Sequence, residues 1–203
     1  MNLDLIAPPQ PYSALIFDCD GTLVDTMPTH YLAWSAALEA QGAHFPEDRF
    51  YTMGGMPTTE IIKVLNKEYG YTMDVDFTHH DKERRFLEMV ESVIEITAVM
   101  DIVRAHHGKV PMAVASGGTR IVVDRILEAA GLRKYFDAVV TTDDVLHSKP
   151  APDIFLKAAE LLGAKPEDCI IYEDGVPGIE AAKRAGIRCI DIRVLWATEP
   201  ASV

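Results

Sequence analysis

Cysteine is scarce in this chain, and the three present, Cys19, Cys169 and Cys189, form no CxxC pair. An odd, sparse set of thiols argues against a disulfide framework and reads as reduced cysteines of a cytoplasmic protein. Basic residues are also in deficit: 19 Lys and Arg stand against 31 Asp and Glu, a net charge of −12. Such a field works against nucleic acid or an anionic membrane as partner. No apolar run approaches the roughly 20 residues of a membrane span. The opening MNLDLIAPPQPY lacks the basic and then apolar regions of a secretory signal. Repeats and low-complexity tracts are missing too. What is left is the expectation of a soluble, monomeric globular protein. Its 203 residues, 48% of them hydrophobic, allow one compact domain, or a core of about 130 residues with a smaller insert.

Five short apolar runs stand out: Ser13 to Phe17, Pro111 to Ala115, Ala138 to Thr141, Cys169 to Tyr172 and Arg188 to Ile192. None alternates apolar with polar, which is how strands buried on both faces of a parallel sheet read. Helices are expected at Thr119 to Ala130, Pro152 to Leu162 and Pro177 to Ala185, each followed by Gly and two of them opened by Pro. Strand and helix in alternation predict an α/β fold, a Rossmann-like parallel sheet flanked by helices.

One interval breaks that rhythm. Between about Met27 and Ile94 no buried strand is evident, while Thr29 to Gln41, Thr59 to Tyr69 and roughly Phe77 to Val93 carry helical patterns. The expected organisation is a core of residues 1–26 and 95–203, with residues 27–94 inserted as a small all-helical cap.

Ligands of an open parallel sheet bind beyond the carboxyl ends of its strands. The first run ends in Asp18-x-Asp20, the second in Ser116-Gly117-Gly118, and the fourth in Glu173-Asp174-Gly175; after the third comes Ser148-Lys149-Pro150. Asp18, Asp20, Glu173 and Asp174 are hard oxygen donors with no imidazole or thiolate among them, so Mg²⁺ is the natural ion. A carboxylate not consumed by the metal can attack phosphorus. A second, two residues on, can protonate the leaving group and later deprotonate water. Lys149, the Ser116 hydroxyl and the N–H groups of Gly117 and Gly118 would hold the phosphoryl oxygens. Cys19 reads as a small apolar spacer, and Thr142, Asp143 and Asp144 as a helix cap and turn.

The order D-x-D-G-T (18–22), S-G (116–117), K-P (149–150) and E-D-x-x-x-G (173–178) resembles the four motifs of the haloacid dehalogenase-like superfamily. That resemblance implies Asp18 as nucleophile and Asp20 as acid/base. It implies a metal held by Asp18, the backbone carbonyl of Asp20, and Asp174 with Glu173, and a helical cap inserted after the first motif. DTMPTHYLAW (25–34), SKPAPDIF (148–155) and YEDGVPGIEAAKRAG (172–186) resemble the β-phosphoglucomutase-like branch, which includes bacterial fructose-1-phosphate and related sugar-phosphate phosphatases. GGMPT (54–58) resembles a cap pattern of those phosphatases. The resemblance thus implies a small phosphorylated metabolite as partner, with Thr26, His30, Trp34, Gly55 and Thr58 as cap-side candidates to contact it.

Mutase and phosphatase share this chemistry and differ in what accepts the phosphoryl group. A mutase must clamp a second phosphate, and the related cap loop carries an arginine in the mutases. Here that loop, Gly55 to Thr59, has no cation, which favours water as acceptor; Lys82, Arg84 and Arg85 are the cap cations able to compensate. Metal-free dehalogenation would leave Asp20 and the late acidic pair without a task, and a signalling receiver domain would have no use for the insert. His30 reads as a substrate contact or as a packing residue, and Trp34 as core or pocket wall. The pairs His79-His80 and His106-His107, adjacent and so diverging on a helix, read as solvated rather than as zinc ligands.

Overall fold

The computed structural model describes residues 3–54 and 56–196. The chain begins with β1 (Ala14–Phe17) and β2 (Val24–Asp25), then four helices: α1 (Met27–Glu39), α2 (Glu47–Thr52), α3 (Thr58–Tyr69) and α4 (Val75–Met89). Next come β3 (Ile94–Glu95), α5 (Thr97–His106), β4 (Met112–Ala115), α6 (Arg120–Ala129) and β5 (Ala138–Val140). The chain closes with α7 (Asp153–Leu161), β6 (Cys169–Glu173), α8 (Val176–Ala185) and β7 (Arg188–Asp191).

The five apolar runs form one parallel sheet in the order β5-β4-β1-β6-β7. Both faces of its centre are covered, which explains the missing alternation. Leu15, Phe17, Val114, Ile170 and Tyr172 share a buried cluster with Val99 and Val103 of α5 and Val123 and Ile126 of α6. Ala14, Ile16, Ala113, Ala115 and Ile171 share another with Ile154 and Phe155 of α7 and Ala181 and Ala182 of α8. Phe17 stacks on Tyr172 at 4.8 Å. Truncating such a ring to Ala costs about 3–5 kcal/mol. Because Phe17 pairs with both Val114 and Tyr172, the residues that follow β1, β4 and β6 emerge along one edge.

Between β2 and β3 the chain is helical. Trp34, Leu38, Phe45, Phe50, Ile62 and Leu65 make a third apolar cluster of their own, while Ala33, Phe86 and Val90 join the cluster on the sheet. The helical segment is entered and left through a short antiparallel ribbon, in which Val24 pairs with Glu95 and Asp25 with Ile94. This ribbon, α2 and α5 have no counterpart in the expected elements. Two-residue strands carry no periodicity, and one turn and a half of helix in α2 offers too few apolar positions to register.

Candidate active site

Asp18 leaves β1 with its N–H still bonded to the Tyr172 carbonyl at 3.0 Å. Its Oδ1 accepts from Lys149 Nζ at 2.6 Å, and the same ammonium donates to Glu173 Oε2 at 2.7 Å. The other oxygen of Glu173 accepts the N–H groups of Asp174 and Gly175 at 3.1 and 2.7 Å. Glu173 is thus fully engaged in orienting Lys149 and the turn after β6. A side chain at position 178 would destroy that arrangement: a Cβ there would lie 1.9 Å from Glu173 Oε2. Asp174 accepts from the Thr22 hydroxyl at 2.9 Å. It packs on Gly21, whose φ of +79° and whose missing Cβ, which would meet Asp174 Oδ2 at 2.4 Å, both demand glycine.

The electrostatics follow from this crowding. Burial, then the Glu173 charge, raises the Asp18 pKa well above the usual carboxylate range despite Lys149. Burial and Glu173 likewise push Asp174 up to about 7. Burial opposes the charge of Lys149, but Asp18 and Glu173 outweigh it and hold the ammonium protonated. Asp18, Glu173 and Asp174 offer carboxylate oxygens within 4.8 Å of one another. Two buried carboxylates and a half-buried third against one ammonium leave a deficit of positive charge, and an all-oxygen donor set suits a hard divalent cation. The side chain of Asp20, expected in this group, points elsewhere.

Asp20 sits on a second, separate network. Its Oδ1 accepts from the Thr26 hydroxyl at 2.7 Å and lies 3.1 Å from His30 Nε2. Lys82 Nζ, from α4, lies 3.0 Å from His30 Nδ1. An ammonium has only protons to give, so Nδ1 is the acceptor and the ring proton rests on Nε2, facing Asp20. Phe86 stacks beneath the imidazole at 4.0 Å. Burial disfavours the charged form of Asp20, but the His30 and Thr26 hydrogen bonds and the Lys82 charge prevail and bring its pKa to about 2. Burial and Lys82 lower the pKa of His30, and burial lowers that of Lys82 to about 8 against the pull of Asp20 and Glu83. On the opposite side, Ser116 Oγ lies 3.4 Å from Asp20 Oδ2 and accepts the Gly118 N–H at 3.0 Å.

The remaining candidates divide. Thr26 is buried and bonded to Asp20. The Gly118 amide is turned toward Ser116, so of the two glycine N–H groups expected to face substrate one is already engaged; Gly117 is exposed. Trp34, one reading of which was a pocket wall, is 2% exposed and packs edge-on against Phe45 at 5.5 Å. Its α1 position faces the insert's own cluster, so it is a packing residue. Thr58 is half-buried at the start of α3, with no contact joining it to the network around Asp20. Gly55 lies outside the described residues. Asp143 caps the start of α6 by accepting the Arg120 N–H at 2.8 Å, and Asp144 takes the Thr141 N–H at 2.7 Å, the cap-and-turn role expected of them. His106 departs from its solvated reading: it is half-buried, 2.7 Å from the Tyr12 hydroxyl and 2.7 Å from the Ile102 carbonyl.

Lys82 is the member that sequence reasoning did not place in the site. Of the three cap cations singled out, Arg84 is paired with Asp81 and Glu88, and Arg85 with Asp81. Only Lys82 turns inward, over the Trp34 and Phe86 rings at 5.9 and 5.4 Å. Within the charged run Asp81 to Arg85 nothing in the sequence sets Lys82 apart; its burial is legible only with the fold in hand.

Residues 12–186 match the family model described as haloacid dehalogenase-like hydrolase. The chain is 38% identical to fructose-1-phosphate phosphatase YqaB of Escherichia coli strain K12 over 184 residues, 91% of this chain and 98% of that protein. It is 33% identical to a phosphorylated carbohydrates phosphatase of Thermotoga maritima over 181 residues, 87% and 83% of the two chains. Among solved structures, CbbY from Rhodobacter sphaeroides in complex with phosphate is similar at a TM-score of 0.78 and 25% identity, covering 88% of this chain and 85% of that one.

Proposed function

This chain belongs to the haloacid dehalogenase-like hydrolases and is a phosphatase, and on that premise we propose that it is a Mg²⁺-dependent phosphomonoesterase hydrolysing a small sugar phosphate of the fructose 1-phosphate kind. The likeness to the two carbohydrate phosphatases supports the substrate class. The observation that carries the mechanism is the separation of two aspartates, Asp18 buried and Asp20 half-buried, onto different networks. Asp18 stands beside Lys149 and the acidic cluster, Asp20 beside His30, Thr26 and Ser116.

Asp18, Asp174 and the backbone carbonyl of Asp20 would hold the Mg²⁺, with Glu173 contributing through its charge and its grip on Lys149. The bound ion would neutralise Asp18 and the phosphoryl oxygens, easing the approach of one anion to the other. An Asp18 oxygen attacks phosphorus, an Asp18–phosphorus bond forms, and the bond from phosphorus to the sugar oxygen breaks. Asp20 is ionised in the free chain; the proton it passes to that leaving oxygen would be taken up from solvent or from the phosphate monoanion as substrate binds. Asp20, now a carboxylate, takes a proton from water; the water oxygen attacks phosphorus, and inorganic phosphate leaves with Asp18 restored. Lys149 and Ser116 stabilise the phosphoryl oxygens through both steps. Residues 27–94 act as a cap that shields the aspartyl phosphate and selects the sugar, with Thr26 and His30 at its hinge.

The alternative is a β-phosphoglucomutase exchanging glucose 1-phosphate and glucose 6-phosphate. Arg84, Arg85 and Arg49 of the insert are held by surface carboxylates, and Arg120 beside the serine loop is held by the Val139 carbonyl and Asp144. None of these arginines is released to clamp a second phosphate, and the inward-facing Lys82 is engaged by His30, which favours hydrolysis. The test is phosphate release from a panel of sugar phosphates with Mg²⁺, run beside bisphosphate-primed isomerisation of β-glucose 1-phosphate. Isomerisation outpacing release would reverse the choice.

A further inference from the structure

Beside the inward-facing Lys82, the outer surface of α4 carries a donor set of a different kind. His79, His80 and Glu83 each offer a ligand atom, and these atoms lie within 4.8 Å of one another. Their spacing explains why adjacency is misleading. At about 100° per residue, Glu83 projects at roughly 40° from His79, and His80 at roughly 100°, so the carboxylate sits one turn along the helix between the two rings. The ring centroids are 5.2 Å apart, and His79 Nε2 lies 3.5 Å from Glu83 Oε2. That separation is close to the roughly 3.3–3.5 Å between neighbouring ligands of a tetrahedral zinc ion.

Two further observations mark the cluster. His79 Nδ1 is shut off from solvent without a hydrogen-bond partner, so no contact fixes the tautomer of this ring, and Nε2, which faces Glu83, is able to present its lone pair to an ion. Glu83 is also anchored from the other side, because its Oε1 accepts from the Thr119 hydroxyl of the core at 3.2 Å. A pre-positioned carboxylate between two imidazoles loses little side-chain freedom on taking up an ion.

We propose that His79, His80 and Glu83 form a binding site for a borderline divalent cation of the zinc class, distinct from the all-oxygen cluster at Asp18. Two imidazoles and one carboxylate select Zn²⁺, Co²⁺ or Ni²⁺ over Mg²⁺. The fourth position is left to water. Because Glu83 spans α4 and Thr119, an ion held there ties the insert to the loop after β4. The site does not depend on the catalytic reading.

The experiment is calorimetric titration of the full chain with Zn²⁺ in saturating Mg²⁺, which occupies the hard oxygen donors. A single site is expected in the parent, weakened at least tenfold in both His79→Ala and His80→Ala, and weakened in Glu83→Gln. Co²⁺ in place of Zn²⁺ should give the intense visible absorption of a tetrahedral ion, lost in the same variants. His80 is exposed, so His80→Ala should leave the fold intact, with circular dichroism as the check. Zn²⁺ binding that survives both histidine substitutions overturns the site, as does a parent protein that takes up no Zn²⁺ under these conditions.

Discussion

Lys149 and Asp18 meet at 2.6 Å in an ion pair almost closed to solvent, with the lysine side chain 5% and the aspartate 8% exposed. The lysine reaches Glu173 in the same gesture, so one ammonium is shared between two buried carboxylates and balances only one of the two charges. Replacing Lys149 with Ala strands both charges. Breaking a buried pair in this way costs about 3–5 kcal/mol, and losing one stabiliser of a developing charge costs about 10²–10³ in kcat. Thermal melting and phosphate-release kinetics on Lys149→Ala should show both losses; a variant as active as its parent would contradict the assignment.

Asp18→Asn should abolish turnover, since an amide cannot form the phosphoaspartate. Binding of the substrate should survive, as the Lys149 and Ser116 donors remain. Residual Mg²⁺-dependent hydrolysis near the parent rate would sink the nucleophile.

Removing Lys82 should act on Asp20 through His30. Without the ammonium, His30 gains basicity, because Lys82 depresses its pKa. Asp20 loses a stabilising charge, so its pKa rises from about 2. The acidic limb of the kcat–pH profile, which reports the step needing ionised Asp20, is expected to move to higher pH in Lys82→Met. Titration of His30 by NMR should show the accompanying upward shift. An unmoved limb and an unmoved His30 would show that the chain from Lys82 to Asp20 carries no influence.

Metal removal should expose the acidic cluster as a pH-dependent liability. A carboxylate whose folded pKa is raised binds its proton more tightly when folded, so stability falls as pH climbs from the unfolded value near 4 toward the folded one. For Asp174 the folded value is about 7, and Asp18 shifts in the same direction. In chelator the protein should therefore melt lower at pH 8 than at pH 5, and added Mg²⁺ should stabilise it more at pH 8. The depressed Asp20 works in the opposite sense only below about pH 4. A melting temperature independent of pH in chelator would argue against the cluster.

Gly178→Ala tests the floor of the site. Its Cβ would collide with Glu173, displacing the carboxylate that orients Lys149. Overpacking of this kind costs about 1–3 kcal/mol. Activity should fall more steeply than stability, read from kcat beside the melting temperature.

The five strands and the polar residues at their ends were legible because burial on both faces writes itself as an unbroken apolar run. So was the placing of Asp18 and Asp20 at one strand end, though not that their side chains turn onto different networks. Lys82 was not legible, because 62 residues separate it from Asp20 and only the packing of α4 on α1 brings them together. The double engagement of Glu173 with Lys149 and the next turn was equally hidden, since a sequence shows a carboxylate but not which of its oxygens is already taken. Adjacency of the histidine pair also hides Glu83 on the next turn, which the helix brings to 3.5 Å from His79.

The paired strands Val24–Asp25 and Ile94–Glu95 have a mechanical consequence. A body attached at two neighbouring points is left one easy rotation, about the line joining them, while twisting and sliding are resisted by the ladder. The ribbon is thus one axis for such a rotation, and Ala33, Phe86 and Val90, packed into the cluster on the sheet, are contacts it would have to break. Glu83 meets Thr119 and Glu91 meets Arg125, so α4 and the turn after it are tied to the start and body of α6 as well as to the ribbon. Any opening of the insert would have to release these two ties, which lie on the chain just ahead of the strand Ile94–Glu95.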